Sequence, residues 1–210
     1  MQQVKSKQRV ADHGEVFTNE REVNAMLDLV WENFITVDKK ISATYLEPAC
    51  GSGNFLVAIL ERKLALVKKH YGQTRVSFEQ KLIEAVSSLY GVELLEDNAH
   101  ECRERLYALI LKYYPKKYQE IHTFPQMEGG LRYILSQNII CGNALDYTTS
   151  DGNPIIFTHW AMGEAGMVTR NFFDFREISN VKDGMQSLFG ELQQDNPPPD
   201  THYLELVPKS

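Results

Sequence analysis

The sequence predicts an α/β fold with a parallel central sheet, closed by a C-terminal β-hairpin, and three observations carry that expectation. Short apolar runs suited to strands alternate with helical runs between residues 44 and 141. The first strand feeds a two-glycine turn, Cys50-Gly51-Ser52-Gly53, that opens a helix. Beyond residue 150 the pattern changes to two β-rich runs separated by Gly163-Glu164-Ala165-Gly166. Strand–helix alternation favours parallel pairing with ligands at the carboxyl edge. β-Formers flanking a glycine-containing loop favour a hairpin.

The elements follow in order. Residues 1–13 are polar. Thr18 or Asn19 suits a helix N-cap, and Val23, Met26, Leu27, Val30 and Trp31 keep the spacing of one inward helical face. A short strand spans 44–46, and Leu56, Ile59, Leu60, Leu64 and Val67 mark the helix after the glycine turn. Residues 71–76 interrupt the pattern, a second helix covers 78–87, and Leu89 to Glu93 forms the next strand. Asp97 to Tyr114 reads as a helix stopped by Pro115, Leu131 to Leu135 is ambiguous, and 138–141 is a third strand. Ile155 to Trp160 and Met167 to Phe175 form the hairpin, and Tyr203 to Val207 suits an edge strand. The expected organisation is one structural domain in three stretches: an N-terminal helical segment (1–40), an α/β core (41–150), and a hairpin with its tail (151–210).

Composition narrows the class. The chain has 210 residues, 43% hydrophobic, enough for a core without staples. No apolar run approaches the ~20 residues of a membrane helix, and the polar N-terminus lacks the apolar stretch of a signal peptide. Cys50, Cys102 and Cys141 are odd in number and form no C-x-x-C pair, which disfavours disulfides and zinc and fits a reducing cytoplasm. Cys50 reads as a small packing residue rather than a nucleophile. The net charge of −6 lacks the basic footprint of an independent nucleic-acid binder. Of the small basic clusters, Arg62, Lys63, Lys68 and Lys69, and Lys112, Lys116 and Lys117, read as solvated helix faces. Lys5, Lys7 and Arg9 suit a phosphate backbone.

Leu46-Glu47-Pro48-Ala49-Cys50-Gly51-Ser52-Gly53-Asn54-Phe55 resembles motif I of the adenine-N6 DNA methyltransferases, including methylation subunits of restriction–modification systems. His13-Gly14-Glu15-Val16-Phe17-Thr18 resembles motif X, Leu89-Tyr90-Gly91-Val92-Glu93 motif II, and Asn138-Ile139-Ile140-Cys141-Gly142-Asn143-Ala144-Leu145 motif III. The resemblance covers about residues 9–147 in the family's order. It implies a Rossmann-like domain that binds S-adenosylmethionine, with the N-terminal segment folded over the cofactor and DNA as substrate. The cofactor residues it implies are Phe17, Thr18, Glu47, Pro48, Ala49, Cys50, Gly51, Gly53, Asn54, Phe55, Glu93, Leu94, Asn143 and Ala144. Glu47 would meet the methionine ammonium, Thr18 its carboxylate, Glu93 the ribose hydroxyls, and Asn143 the adenine edge. For Thr18 a helix cap and for Asn143 a turn-forming role are competing readings.

The resemblance stops at target handling, so the C-terminal half is truncated or divergent. The family's Asn/Asp-Pro-Pro-aromatic motif is matched only by Asn196-Pro197-Pro198-Pro199, whose last proline has no face to stack on a base and whose lead-in is polar. Asn196 is therefore disfavoured. His159 and Trp160, at the end of an apolar strand, are the remaining weak catalytic candidates, although an inward Trp in a hairpin is the plainer account. Three functions follow: a DNA methyltransferase with a divergent catalytic half, a non-catalytic cofactor-binding subunit needing a partner chain, or a methyltransferase for another substrate. A homo-oligomer or a place as a restriction–modification subunit fits the first two. No membrane partner and no metal are expected.

Overall fold

The computed structural model describes residues 18–178 and 198–207. Helices α1 (Glu20–Trp31) and α2 (Val37–Ser42) precede β1 (Tyr45–Glu47), and α3 (Asn54–Tyr71) leaves the glycine turn. Then come α4 (Arg75–Ser87), β2 (Leu89–Glu93), α5 (Glu96–Tyr113), α6 (Lys116–Gln119), α7 (Phe124–Asn138) and β3 (Ile139–Asn143). The chain continues through β4 (Thr148–Thr149), β5 (Ile156–Met162), β6 (Met167–Asp174), α8 (Phe175–Ile178) and β7 (Thr201–His202).

One sheet has the order β1-β2-β3-β4, parallel except for β4. Every residue of β2 is buried, as expected of a strand flanked on both edges and covered on both faces. Alternation sorts its side chains: Leu89 joins Ile139 on the helical face, while Tyr90 and Val92 join Leu46 and Ile140 on the other. Helices α3, α4, α5 and α7 supply the larger core, in which Leu56, Leu60, Leu64, Phe78, Leu82 and Leu106 are fully buried.

The opposite face is covered by the β5–β6 hairpin, paired from Ile156↔Asp174 to Met162↔Val168. Phe157, Phe173 and Phe175 pack there with Tyr90, whose ring meets Phe157 at 5.2 Å and Phe173 at 5.9 Å. The direction of β5 is fixed at both ends. A Cβ on Gly142, near the carboxyl end of β3, would fall 2.8 Å from Ile155, the residue before β5. At the other end Trp160 Nε1 donates to Asn138, just before β3 begins. β5 therefore crosses the sheet antiparallel to β1–β3.

Three expectations are corrected. The ambiguous 131–135 stretch lies inside the 15-residue helix α7, started by Pro125 in its first turn and continuing through Gly129 and Gly130. Those glycines make room for the C-terminal segment, since a Cβ on Gly130 would come 3.3 Å from Tyr203 O. The expected edge strand at 203–207 is instead the two-residue β7 followed by a 3₁₀ turn, Tyr203–Glu205. Lys63, read as solvated, is completely buried, with Nζ donating to Ala43 O and Ser88 Oγ at 2.5 Å each. Burial holds its pKa well below the ordinary lysine value.

Glu79 is a second buried charge, and it is fully partnered. It accepts from Tyr114 Oη at 2.5 Å, Tyr203 Oη at 2.7 Å and Arg75 Nη1 at 3.2 Å. These bonds join α4, the end of α5 and the C-terminal turn, and they satisfy a carboxylate that would otherwise be costly inside the core.

Candidate functional site at the carboxyl edge of the sheet

The glycine turn is fastened to the neighbouring strand. Cys50 N–H donates to Val92 O at 2.9 Å, and Gly53 N–H closes the turn on Cys50 O at 2.8 Å. Gly51 (φ 54°) and Gly53 (φ 89°) are both left-handed, a conformation glycine adopts without a Cβ penalty. At Gly53 the structure adds a reason the sequence did not show. A Cβ there would sit 2.5 Å from Cys102 Sγ of α5, so close packing under the turn excludes any other side chain.

Glu93, 8% exposed at the end of β2, binds the turn with one oxygen and its own loop with the other. Its Oε2 accepts from Gly51 N at 2.9 Å, and Oε1 accepts from Leu95 N at 3.1 Å and Asn98 Nδ2 at 3.3 Å. A carboxylate has about four acceptor positions, and three are in use among the described residues. A diol ligand would take the remaining position and exchange with one internal donor.

Thr18, Glu47, Ala49, Cys50, Gly51, Asn54 and Phe55 line a cleft of about 110 Å³ against this turn. Glu47 is half-buried, and desolvation pushes its pKa up from 4.5 against the opposing bond from Ala49 N, 3.4 Å away. A carboxylate held, among the described residues, by one long hydrogen bond is a ready partner for an ammonium group. Asn19, rather than Thr18, caps α1, accepting from Arg21 N at 3.0 Å. Thr18 is instead tied to the turn through its carbonyl, which accepts from Asn54 Nδ2 at 3.2 Å. Pro48 is exposed beside the cleft. Phe17 lies outside the described residues.

At the end of β3, Asn143 Oδ1 accepts from Leu145 N at 2.9 Å, which is the turn-forming arrangement. Ala144 packs against the aromatic cluster under the hairpin. Its neighbour Leu145, absent from the sequence-derived set, is 90% exposed, and Leu94, after β2, is 54% exposed. Two apolar side chains thus project from adjacent strand ends, as a planar ring would require of its flanks. Arg105 of α5 was also missed, although Nη1 reaches Ser52 O at 2.6 Å and Asn54 Oδ1 at 2.9 Å. Nothing in sequence spacing links positions 105 and 52.

His159 and Trp160 are not brought to this site. Because β5 runs antiparallel to the sheet, they lie toward its amino edge and line a separate cleft with Asp38, Lys81 and Ser88. Trp160 is 6% exposed, bonded to Asn138 and edge-on to Tyr133 at 5.8 Å, so it is a core residue. Desolvation lowers the pKa of His159. Asn196 lies outside the described residues.

Cys50 and Cys102 are buried thiols beneath the turn, and Cys141 is half-buried. The Cys102 thiol and burial both push the Cys50 pKa up, which suits packing rather than nucleophilic attack. Among the described residues no group of three metal-ligating side chains occurs, and no helix is long and apolar enough to cross a membrane.

Compared with known families, residues 31–155 match the model described as MmeI, DNA-methyltransferase domain. No curated protein and no solved structure gives a match. The matched stretch runs from the end of α1 to Ile155, so it includes the turn, Glu93 and Asn143 and stops where β5 begins.

Proposed function

The chain belongs to the MmeI DNA-methyltransferase domain family, a DNA methyltransferase assignment of the restriction–modification type, and on that premise we propose that it binds S-adenosylmethionine at the glycine turn for adenine-N6 methylation of DNA. The observation that carries this reading is the Gly51–Glu93 hydrogen bond, which sets a left-handed glycine against a buried carboxylate at two adjacent strand ends. Glu93 would hold the ribose, Glu47 the methionine ammonium, and Thr18 and Asn54 the carboxylate end. Leu94 and Leu145 would flank the adenine beside Asn143. The cofactor supplies an electrophilic methyl group on a sulfonium; the chain's own residues bind and orient it.

A second reading is favoured by a specific observation. The side chains offered for target handling, His159 and Trp160, lie toward the other edge of the sheet, and among the described residues β1 is the outer strand on the side of the turn. The chain is then a cofactor-binding subunit whose partner supplies the groups that accept the amine hydrogens and stack the flipped base. A cytoplasmic, DNA-associated role in restriction–modification fits either reading.

Calorimetric titration with S-adenosylmethionine tests the cofactor, and transfer of labelled methyl groups to assorted DNA tests catalysis. Binding with transfer supports the methyltransferase acting alone. Binding with transfer only after a partner chain is added supports the subunit. Absence of binding to the folded protein removes both.

A further inference from the structure

We propose that Arg105 is a positioning residue for the amino-acid end of the cofactor, an inference that rests on the S-adenosylmethionine reading above. Its guanidinium crosses from α5 to the start of α3, where Nη1 lies 2.6 Å from Ser52 O, 3.1 Å from Ser52 Oγ and 2.9 Å from Asn54 Oδ1. A cation can only donate, so the Asn54 amide must turn its oxygen toward Arg105 and its nitrogen away. The nitrogen then meets Thr18 O at 3.2 Å. One arginine therefore fixes the turn carbonyl, the orientation of Asn54 and, through Asn54, the position of Thr18. Asn54 and Thr18 both line the cleft that also contains Glu47.

The charges point the same way. Arg105 stands beside the N-terminus of α3, an 18-residue helix whose first turn carries no acidic side chain. Among the described residues its hydrogen bonds go to neutral oxygens rather than to a carboxylate. Placing a cation at the positive end of a helix favours an anion nearby. Glu47 on the cleft wall gives the opposite preference. A zwitterion is thereby oriented, with its carboxylate toward Asn54 and Thr18 and its ammonium toward Glu47.

The test compares three ligands that share the adenosine and sulfur portion. S-adenosylmethionine and S-adenosylhomocysteine carry the amino-acid end, and 5′-methylthioadenosine lacks it. In Arg105→Ala, calorimetry should show affinity for the first two falling roughly tenfold or more, the loss expected when charge-assisted hydrogen bonds are removed. Affinity for 5′-methylthioadenosine should stay within about twofold. Amide hydrogen exchange across residues 52–55 should quicken in the ligand-free variant. Arg105→Gln, which keeps an N–H donor without the charge and serves if the alanine variant does not fold, should show a smaller loss with the same selectivity. Equal weakening of all three ligands, or no change in any, overturns the proposal and leaves the cofactor reading intact. Failure of the unaltered protein to bind any of the three overturns both.

Discussion

Replacing Gly53 by alanine separates two reasons for a glycine in this turn. With φ at 89°, an L-residue pays about 1–2 kcal/mol for the left-handed conformation alone. The added methyl would lie 2.5 Å from Cys102 Sγ and 3.3 Å from its Cβ, and overpacking of that kind costs about 1–3 kcal/mol. Gly53→Ala should therefore destabilise the fold by roughly 2–5 kcal/mol, a large share of the ~5–15 kcal/mol of a typical domain. Cys102→Ala removes the sulfur and leaves the 3.3 Å contact, itself tight, as the nearest. In the double variant the conformational cost should remain while most of the packing cost disappears, giving a favourable coupling of about 1–3 kcal/mol. Urea unfolding of the four proteins, followed by circular dichroism, measures both. A Gly53→Ala protein within about 0.5 kcal/mol of the parent refutes the strain, and a coupling near zero refutes the contact with Cys102.

Other perturbations probe the remaining parts of the site. Glu93→Ala strips Gly51 and Leu95 of an acceptor and should cost about 1–3 kcal/mol of stability as well as cofactor affinity, with Glu93→Gln intermediate; unfolding midpoints matching the parent would contradict a stabilising role for these bonds. Because burial raises the pKa of Glu47 above 4.5, S-adenosylmethionine affinity should weaken as pH falls through that raised value, and Glu47→Gln should bind weakly with that pH dependence gone, as titration across pH would report. The lowered pKa of His159 means that the unfolded chain takes up its proton first, so stability should fall as pH drops from 6.5 toward the folded-state value. His159→Phe should flatten that part of the pH–stability profile without altering cofactor affinity. Trp160→Ala should cost about 3–5 kcal/mol by leaving a cavity and an unpartnered Asn138 oxygen, while the folded fraction, measured by calorimetry at low temperature, retains its affinity.

Much of the fold was legible where local pattern and burial agree. Leu56, Ile59, Leu60, Leu64 and Val67 mark a stripe that is buried throughout, and the strand from Leu89 to Glu93 has the bounds expected of it. On α1 the same periodicity overstated burial: Val23 and Leu27 face the core, but Met26 and Val30 are 54% and 41% exposed. Helix α7 was obscured because Gly129 and Gly130 serve contacts with Val207 and Tyr203, which no local window contains. Lys63 was misread for a related reason, since its partners, Ala43 and Ser88, lie 20 and 25 positions away. In the candidate site, the turn and Glu93 were readable because the sequence motif and the local backbone geometry ask for the same residues. The reversal of β5, which carries His159 and Trp160 to the amino edge, depends on how the hairpin crosses the sheet. Arg105 depends on where α5 lies against the turn.

The bond between Tyr203 and Glu79 has a consequence for how the chain assembles and breathes. It joins residues 124 positions apart, and Tyr90 to Thr158 spans 68, whereas α3 and α4 are neighbours in sequence. Loop-closure entropy makes such distant pairings slow to form, so the helical layer has time to organise before the hairpin and the C-terminal turn dock. When the 3₁₀ turn at 203–205 lifts from α7, Glu79 keeps Arg75 and Tyr114, so its charge is never left alone in the interior. Release at that end would still expose Tyr203 and Leu206, both buried in the helical core, so this partnering spares the interior an isolated charge without loosening the segment.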